Sequence, residues 1–307
     1  MTLALLVSLT YFRVAGVLWG IAAGPDGNLW FPTTSGVARM TTDGDVTVYA
    51  AGPISAGRAM IAAGPDGRMW FTEPNEHRVG AVTMSGAVTE YALPADAIPM
   101  GIAAGADGNV WFGTANAVGR ITPGGGVTLF PLGGHAEVFD LVAGGDGNVW
   151  FVEWPQNAVG RITPEGMVTQ FPTPCCGVQS IARGDDGALW LASDHAVLRM
   201  TTDGAVTVPR TTTDFLTTIA NGPGGTIWFG TEAPRLGDVD GDVVNLAPEV
   251  PRVDGIIAGP DGNVWATLDR PPVACTLICP PADPNPPLSI VRVNLHPSPR
   301  RRAVHTW

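Results

Sequence analysis

The sequence has no lysine: all 17 of its basic residues are arginine, set against 28 aspartates and glutamates for a net charge of −11. So acidic a chain lacks the basic footprint that nucleic acid or an anionic membrane requires, and neither is an expected partner. The run Arg300-Arg301-Arg302 reads as a solvated end. No apolar run is long enough to span a bilayer. The first twenty residues are apolar, but they have no basic leader and are broken by Tyr11, Phe12 and Arg13, so no cleaved signal is expected. That favours the cytoplasm and leaves the compartment open. Only four cysteines occur, as Cys175-Cys176 and Cys275-x3-Cys279; the even count admits disulfides without requiring them.

Motifs of enzyme chemistry are equally scarce. There is no nucleophile elbow, phosphate loop or dinucleotide fingerprint. Of the five histidines, His77, His135 and His195 fall in loops and His296 and His305 in the tail. Ser193-Asp194-His195 holds triad residue types, but neighbours on a short loop do not converge on one substrate atom.

What is abundant is glycine and proline, 40 and 28 residues, with 45% hydrophobic content. That combination favours a turn-rich all-β fold. Trp30, Trp70, Trp111, Trp150, Trp190, Trp228 and Trp265 follow one another at intervals of 40, 41, 39, 40, 38 and 37 residues. Each closes a segment of one design, as in Gly20-Ile21-Ala22-Ala23-Gly24-Pro25-Asp26-Gly27-Asn28-Leu29-Trp30-Phe31: a short apolar strand, an Asp-Gly hairpin turn, and a strand carrying the Trp. A third strand follows (Val118-Gly119-Arg120-Ile121-Thr122), then a second turn and a fourth strand ending Thr-x-Tyr/Phe. Four strands at a period near 40 predict a seven-bladed β-propeller of four-stranded antiparallel blades, each burying its faces only against its neighbours.

The seventh repeat runs out without a fourth strand, and Leu9-Thr10-Tyr11-Phe12 matches the missing one. The N-terminus is therefore expected to complete blade seven and close the ring. The propeller is placed at 1–295, with a Pro/Cys insertion at 270–287 and a polar tail at 296–307. A four-Cys metal site is a remote alternative to a local disulfide or free thiols.

Seven copies provide an internal control. The recurring Asp-Gly turns read as scaffold, as does Asp238-Val239-Asp240-Gly241-Asp242, which resembles a calcium loop but falls where a turn recurs. The strand-three arginines (Arg39, Arg120, Arg161, Arg199, Arg292) read as inter-blade hydrogen-bonding residues. Variation is concentrated where the first strand begins at the channel: Trp19, Ala59, Met100, Phe139, Gln179, Thr217 and Asp254. A second variable ring follows each Trp: Thr33, Glu73, Thr114, Glu153, Ser193, Glu232 and Asp269. Candidate binding residues are Trp19, Met100, Phe139, Gln179, Thr217, Glu73, Glu153 and Glu232, around a mouth suited to an apolar or cationic ligand or a peptide. The alternative is a solvent-filled funnel that tolerates variation.

The linked motifs Gly-Pro-Asp-Gly-Asn-x-Trp-Phe, Val-Gly-Arg-Ile-Thr and Thr-x-Tyr/Phe resemble the streptogramin lyase (virginiamycin B lyase) family over essentially the whole chain. That resemblance implies a seven-bladed propeller and a carbon–oxygen lyase opening a cyclic depsipeptide by Mg²⁺-assisted elimination, which needs a general base and a cation at the developing enolate. The family's histidine positions in blades six and seven are here Thr217 and Asp254, and its metal-binding glutamates are Arg252 and Asp269. Asp254 remains as a candidate base and Asp269 as a candidate metal ligand, while Arg252 would repel a cation. The expectation is a monomeric propeller that binds a small molecule or peptide, with no cofactor. The alternatives are a divergent Mg²⁺-dependent lyase and a protein-interaction scaffold.

Overall fold

The computed structural model describes residues 7–17, 19–51, 54, 58–134, 136–155, 157–174, 177–248, 250, 252–268 and 288–295. The insertion at 270–287, the tail at 296–307 and all four cysteines lie outside the described residues. Seven four-stranded antiparallel sheets form a propeller. In blade three the strands are Ile102–Ala104, Val110–Thr114, Ala117–Ile121 and Val127–Pro131, adjacent in sequence order.

The Asp-Gly turn and the tryptophan that follows it are one device. Asp107 accepts a hydrogen bond from Trp111 Nε1 at 3.1 Å and from Asn109 Nδ2 at 2.8 Å. Burial alone would raise the Asp107 carboxyl, but these bonds together hold it below its ordinary value. Gly108 completes the turn at φ 78°, in the left-handed region. The same Asp–Trp bond fixes Trp30, Trp70, Trp150, Trp190 and Trp265. Blade six has Gly224 at the aspartate position, and Trp228 Nε1 is buried without a partner among the described residues.

Once oriented, each ring packs towards the next blade. Trp111 stacks on Phe130 at 5.5 Å, and Arg120 lies over both rings at 5.6 and 5.4 Å. Arg120 then donates to the carbonyl of Pro164 in blade four at 2.6 Å. Arg161 and Arg292 bond the carbonyls of Thr202 and Thr42 in the same way, so the third-strand arginines do tie blades together. Arg39 and Arg199 instead face the turn carboxylates of their own blades, Asp26 and Asp186.

The residue after each Trp points to the opposite face, as strand pleating requires. Phe112 lies over Gly119, where a Cβ would come within 2.2 Å of the ring; Phe71, Phe151 and Phe229 cover Gly80, Gly160 and Gly237 likewise. Where the phenylalanine is lost, its partner enlarges: Leu191 faces Leu198, and Ala266 faces Val291. The glycine of Val-Gly-Arg-Ile is thus complementary in volume to the ring beside it.

The ring closes as expected. Val7–Arg13 pairs antiparallel with Leu288–Leu295, with Tyr11 opposite Val291. Phe12 stacks on Trp265 at 5.2 Å, repeating across the two ends of the chain the Trp–Tyr/Phe pair of blades one to four. Tyr11 Oη also accepts from the Ala247 amide of blade six at 2.7 Å. No helix among the described residues is long and apolar enough to cross a membrane.

Candidate functional site at the channel mouth

The innermost strands are joined by a belt of hydrogen bonds between blades. Thr72 Oγ1 donates to Met100 O, Thr217 Oγ1 to Val253 O and Thr267 Oγ1 to Trp19 O, while Gly20 N donates to Ala59 O. On the far side, Asp140 accepts from Ser180 Oγ at 2.7 Å and from the Ile181 amide at 3.0 Å, and Ser180 Oγ accepts from Ile219 N. This belt holds the first-strand residues in place around the axis.

Inside it lies a cavity of about 150 Å³ whose walls include Trp19, Phe139, Gln179, Thr217 and Asp254. Five of the variable first-strand positions therefore come together. Met100 is not among the residues lining the cavity. Glu73 and Glu153 are buried and do not line it either. Each shares a strand face with the phenylalanine two residues before it, so its carboxylate turns outward: Glu73 accepts from Arg78, and Glu153 from Gln170 of the outermost strand. Thr33 and Thr114, of the same ring, close hairpins through Gly36 O and Ala117 O. Glu232 is exposed and stands apart from the cavity, and Asp269 lies outside the described residues. Asp238, in the calcium-like turn, accepts from the amides of Gly241 and Asp242 at 2.9 Å each, so its own backbone occupies it.

Two arginines stand at the mouth. Arg58 lies 4.3 Å from the centre of the Trp19 ring and 5.0 Å from that of Phe139; Arg252 lies 4.4 Å from Trp19. Arg252 Nε donates to Asp254 Oδ1 at 2.8 Å, and the Asp254 side chain is only 6% exposed. Desolvation, then the positive charge of Arg252, push the Arg58 guanidinium below its usual value, against the attraction of Asp254 and Asp140. Asp140 lines the cavity, yet protein surrounds it closely. Burial raises its carboxyl, opposed by bonds from Ser180, Ile181 and Leu141 and by Arg58.

Arg58 and Asp140 are the site residues that reading the sequence position by position missed. Arg58 is one residue before the aligned position, where blade two carries the small and fully buried Ala59, and its length carries it into that sector. Asp140 stands where blades one, three and seven have Gly20, Gly101 and Gly255, a contrast visible in the repeat itself.

A divalent cation does not fit the described residues. No three His, Cys, Asp or Glu side chains among them are grouped to hold a metal. Arg252 places a guanidinium beside the one mouth carboxylate that the resemblance made a candidate base, where its charge opposes that of an approaching cation.

Comparison with known proteins agrees with this architecture. A model of the virginiamycin B lyase family matches residues 11–175. A streptogramin B lyase structure is 25% identical, with a TM-score of 0.79, covering 94% of this chain and 98% of that one. A catalytically inactive histidine-to-alanine variant of virginiamycin B lyase from Staphylococcus aureus, solved with quinupristin, is 26% identical with a TM-score of 0.79, covering 95% of this chain and all of that one. No functionally curated protein matches the sequence.

Proposed function

The chain belongs to the virginiamycin B lyase family, and we propose that this member binds a small molecule or peptide at its channel mouth without the metal-assisted elimination the resemblance implies. The observation that carries this reading is the Arg252–Asp254 ion pair at 2.8 Å. By the resemblance, it joins the position of a metal ligand to that of a catalytic histidine. An elimination of that kind needs a proton acceptor free to reach substrate and a cation to hold the developing charge. Here the carboxylate is engaged by a guanidinium and the metal position is itself cationic. What remains is a small cavity with two aromatic rings, an amide and several hydrogen-bonding groups, the makings of a binding pocket.

Ligand-observed NMR with a panel of linear peptides, cyclic peptides including quinupristin, and small organic acids tests this. Hits are expected that vanish in Trp19→Ala and are indifferent to Mg²⁺. A panel yielding no Trp19-dependent hit, or hits that require Mg²⁺, would refute it.

A further inference from the structure

We propose that the group taken by the mouth is a carboxylate monoanion carried on a small apolar body, received by Arg58 with Arg252 beside it. This inference rests on the binding reading above and narrows it.

The two arginines of the mouth differ in their partners. Arg252 is paired with Asp254. Arg58, half-buried against Trp19 and Phe139, has neither a carboxylate within ion-pairing distance nor a hydrogen-bond acceptor among the described residues. With no acceptor bound to it among the described residues, the N–H fork of Arg58 stays available and matches a carboxylate in bidentate geometry. A partly desolvated cation next to a second one is held at a cost, and an anion arriving between them relieves it.

The charge balance selects the kind of anion. Asp254 and Asp140 line the same cavity. The described residues of the mouth include two arginines and two carboxyls, which tolerate one additional negative charge at the Arg58 guanidinium, whereas a dianion would meet both carboxylates at short range. Size selects the rest. A cavity of about 150 Å³ is close to that which an apolar pocket needs to take up benzene. Trp19 and Phe139 line the cavity and give such a body apolar surface, and the Gln179 amide offers further hydrogen bonding. The mouth thus takes one small acid, or one acidic terminus of a larger ligand.

Isothermal titration of the full chain with benzoate, benzamide and phenyl phosphate tests the inference. Benzoate is expected to bind at least about tenfold more tightly than uncharged benzamide, and more tightly than phenyl phosphate. Arg58→Gln should remove about tenfold of the benzoate affinity and so narrow its lead over benzamide, with its melting temperature confirming the fold. Should that variant fail to fold, the comparison of benzoate with benzamide in the unaltered protein decides. Benzamide binding as tightly as benzoate, or phenyl phosphate binding more tightly, would overturn the carboxylate assignment. If none of the three binds while the NMR panel gives neutral Trp19-dependent ligands, this inference fails alone; if neither experiment finds a ligand, the binding reading fails with it.

Discussion

Glu73 provides a quantitative test of how the blades are packed. It sits fully buried at the end of the second strand of blade two, one oxygen accepting from Arg78 Nε at 2.8 Å and the other without a partner among the described residues. Burial pushes its carboxyl from 4.5 to about 7, against the pull of Arg78 and with the help of Glu90. The folded protein therefore keeps this proton to higher pH than the unfolded chain does. The stability it contributes is fully present below about pH 4.5 and is lost as pH rises through about 7. At about 1.4 kcal/mol per pH unit over that interval, the loss is on the order of 3 kcal/mol. Gln at this position cannot titrate. Between pH 4.5 and pH 8, the unaltered protein should lose about 3 kcal/mol more stability than Glu73→Gln. Urea denaturation of both proteins across that range measures the difference. Parallel profiles would refute the reasoning, because they would mean that Glu73 reaches water or keeps an ordinary affinity for its proton.

Three other substitutions test the scaffold, each read by thermal or urea denaturation. Gly119→Ala forces a methyl to within 2.2 Å of the Phe112 ring and should cost about 1–3 kcal/mol, part of it recovered by adding Phe112→Leu. Asp107→Ala strips the acceptor from the buried Trp111 Nε1 and should cost about 1–3 kcal/mol, with a smaller loss for Asp107→Asn. Phe12→Ala removes the ring stacked on Trp265 and should cost about 2 kcal/mol. It should also speed hydrogen exchange in Leu288–Leu295 more than in the blades opposite.

The architecture was legible because it is written seven times. Trp spacing fixed the blade count, and the missing fourth strand of the last repeat pointed to Leu9–Phe12, which pairs as expected. The mouth was legible only in part. Variation among repeats found Trp19, Phe139, Gln179, Thr217 and Asp254, because strand starts align the backbone faithfully. It could not find Arg58, whose reach depends on side-chain length rather than position. Nor could it tell that Glu73 and Glu153 turn away from the channel. Their place on the strand puts them near the mouth face, but the pleat sends the carboxylates outward to Arg78 and Gln170. The partner of six of the seven repeat tryptophans was also hidden: the Asp of the turn reads as turn chemistry, and only the fold shows its carboxylate on the indole.

The proposed binding function requires that the Arg252–Asp254 pair leave the mouth without elimination chemistry. Prolonged incubation with quinupristin and Mg²⁺, followed by mass spectrometry and peptide fragmentation, tests it most directly. The account predicts that the cyclic depsipeptide is recovered intact. A ring-opened product, formed only with Mg²⁺ and lost in Asp254→Ala, would contradict it.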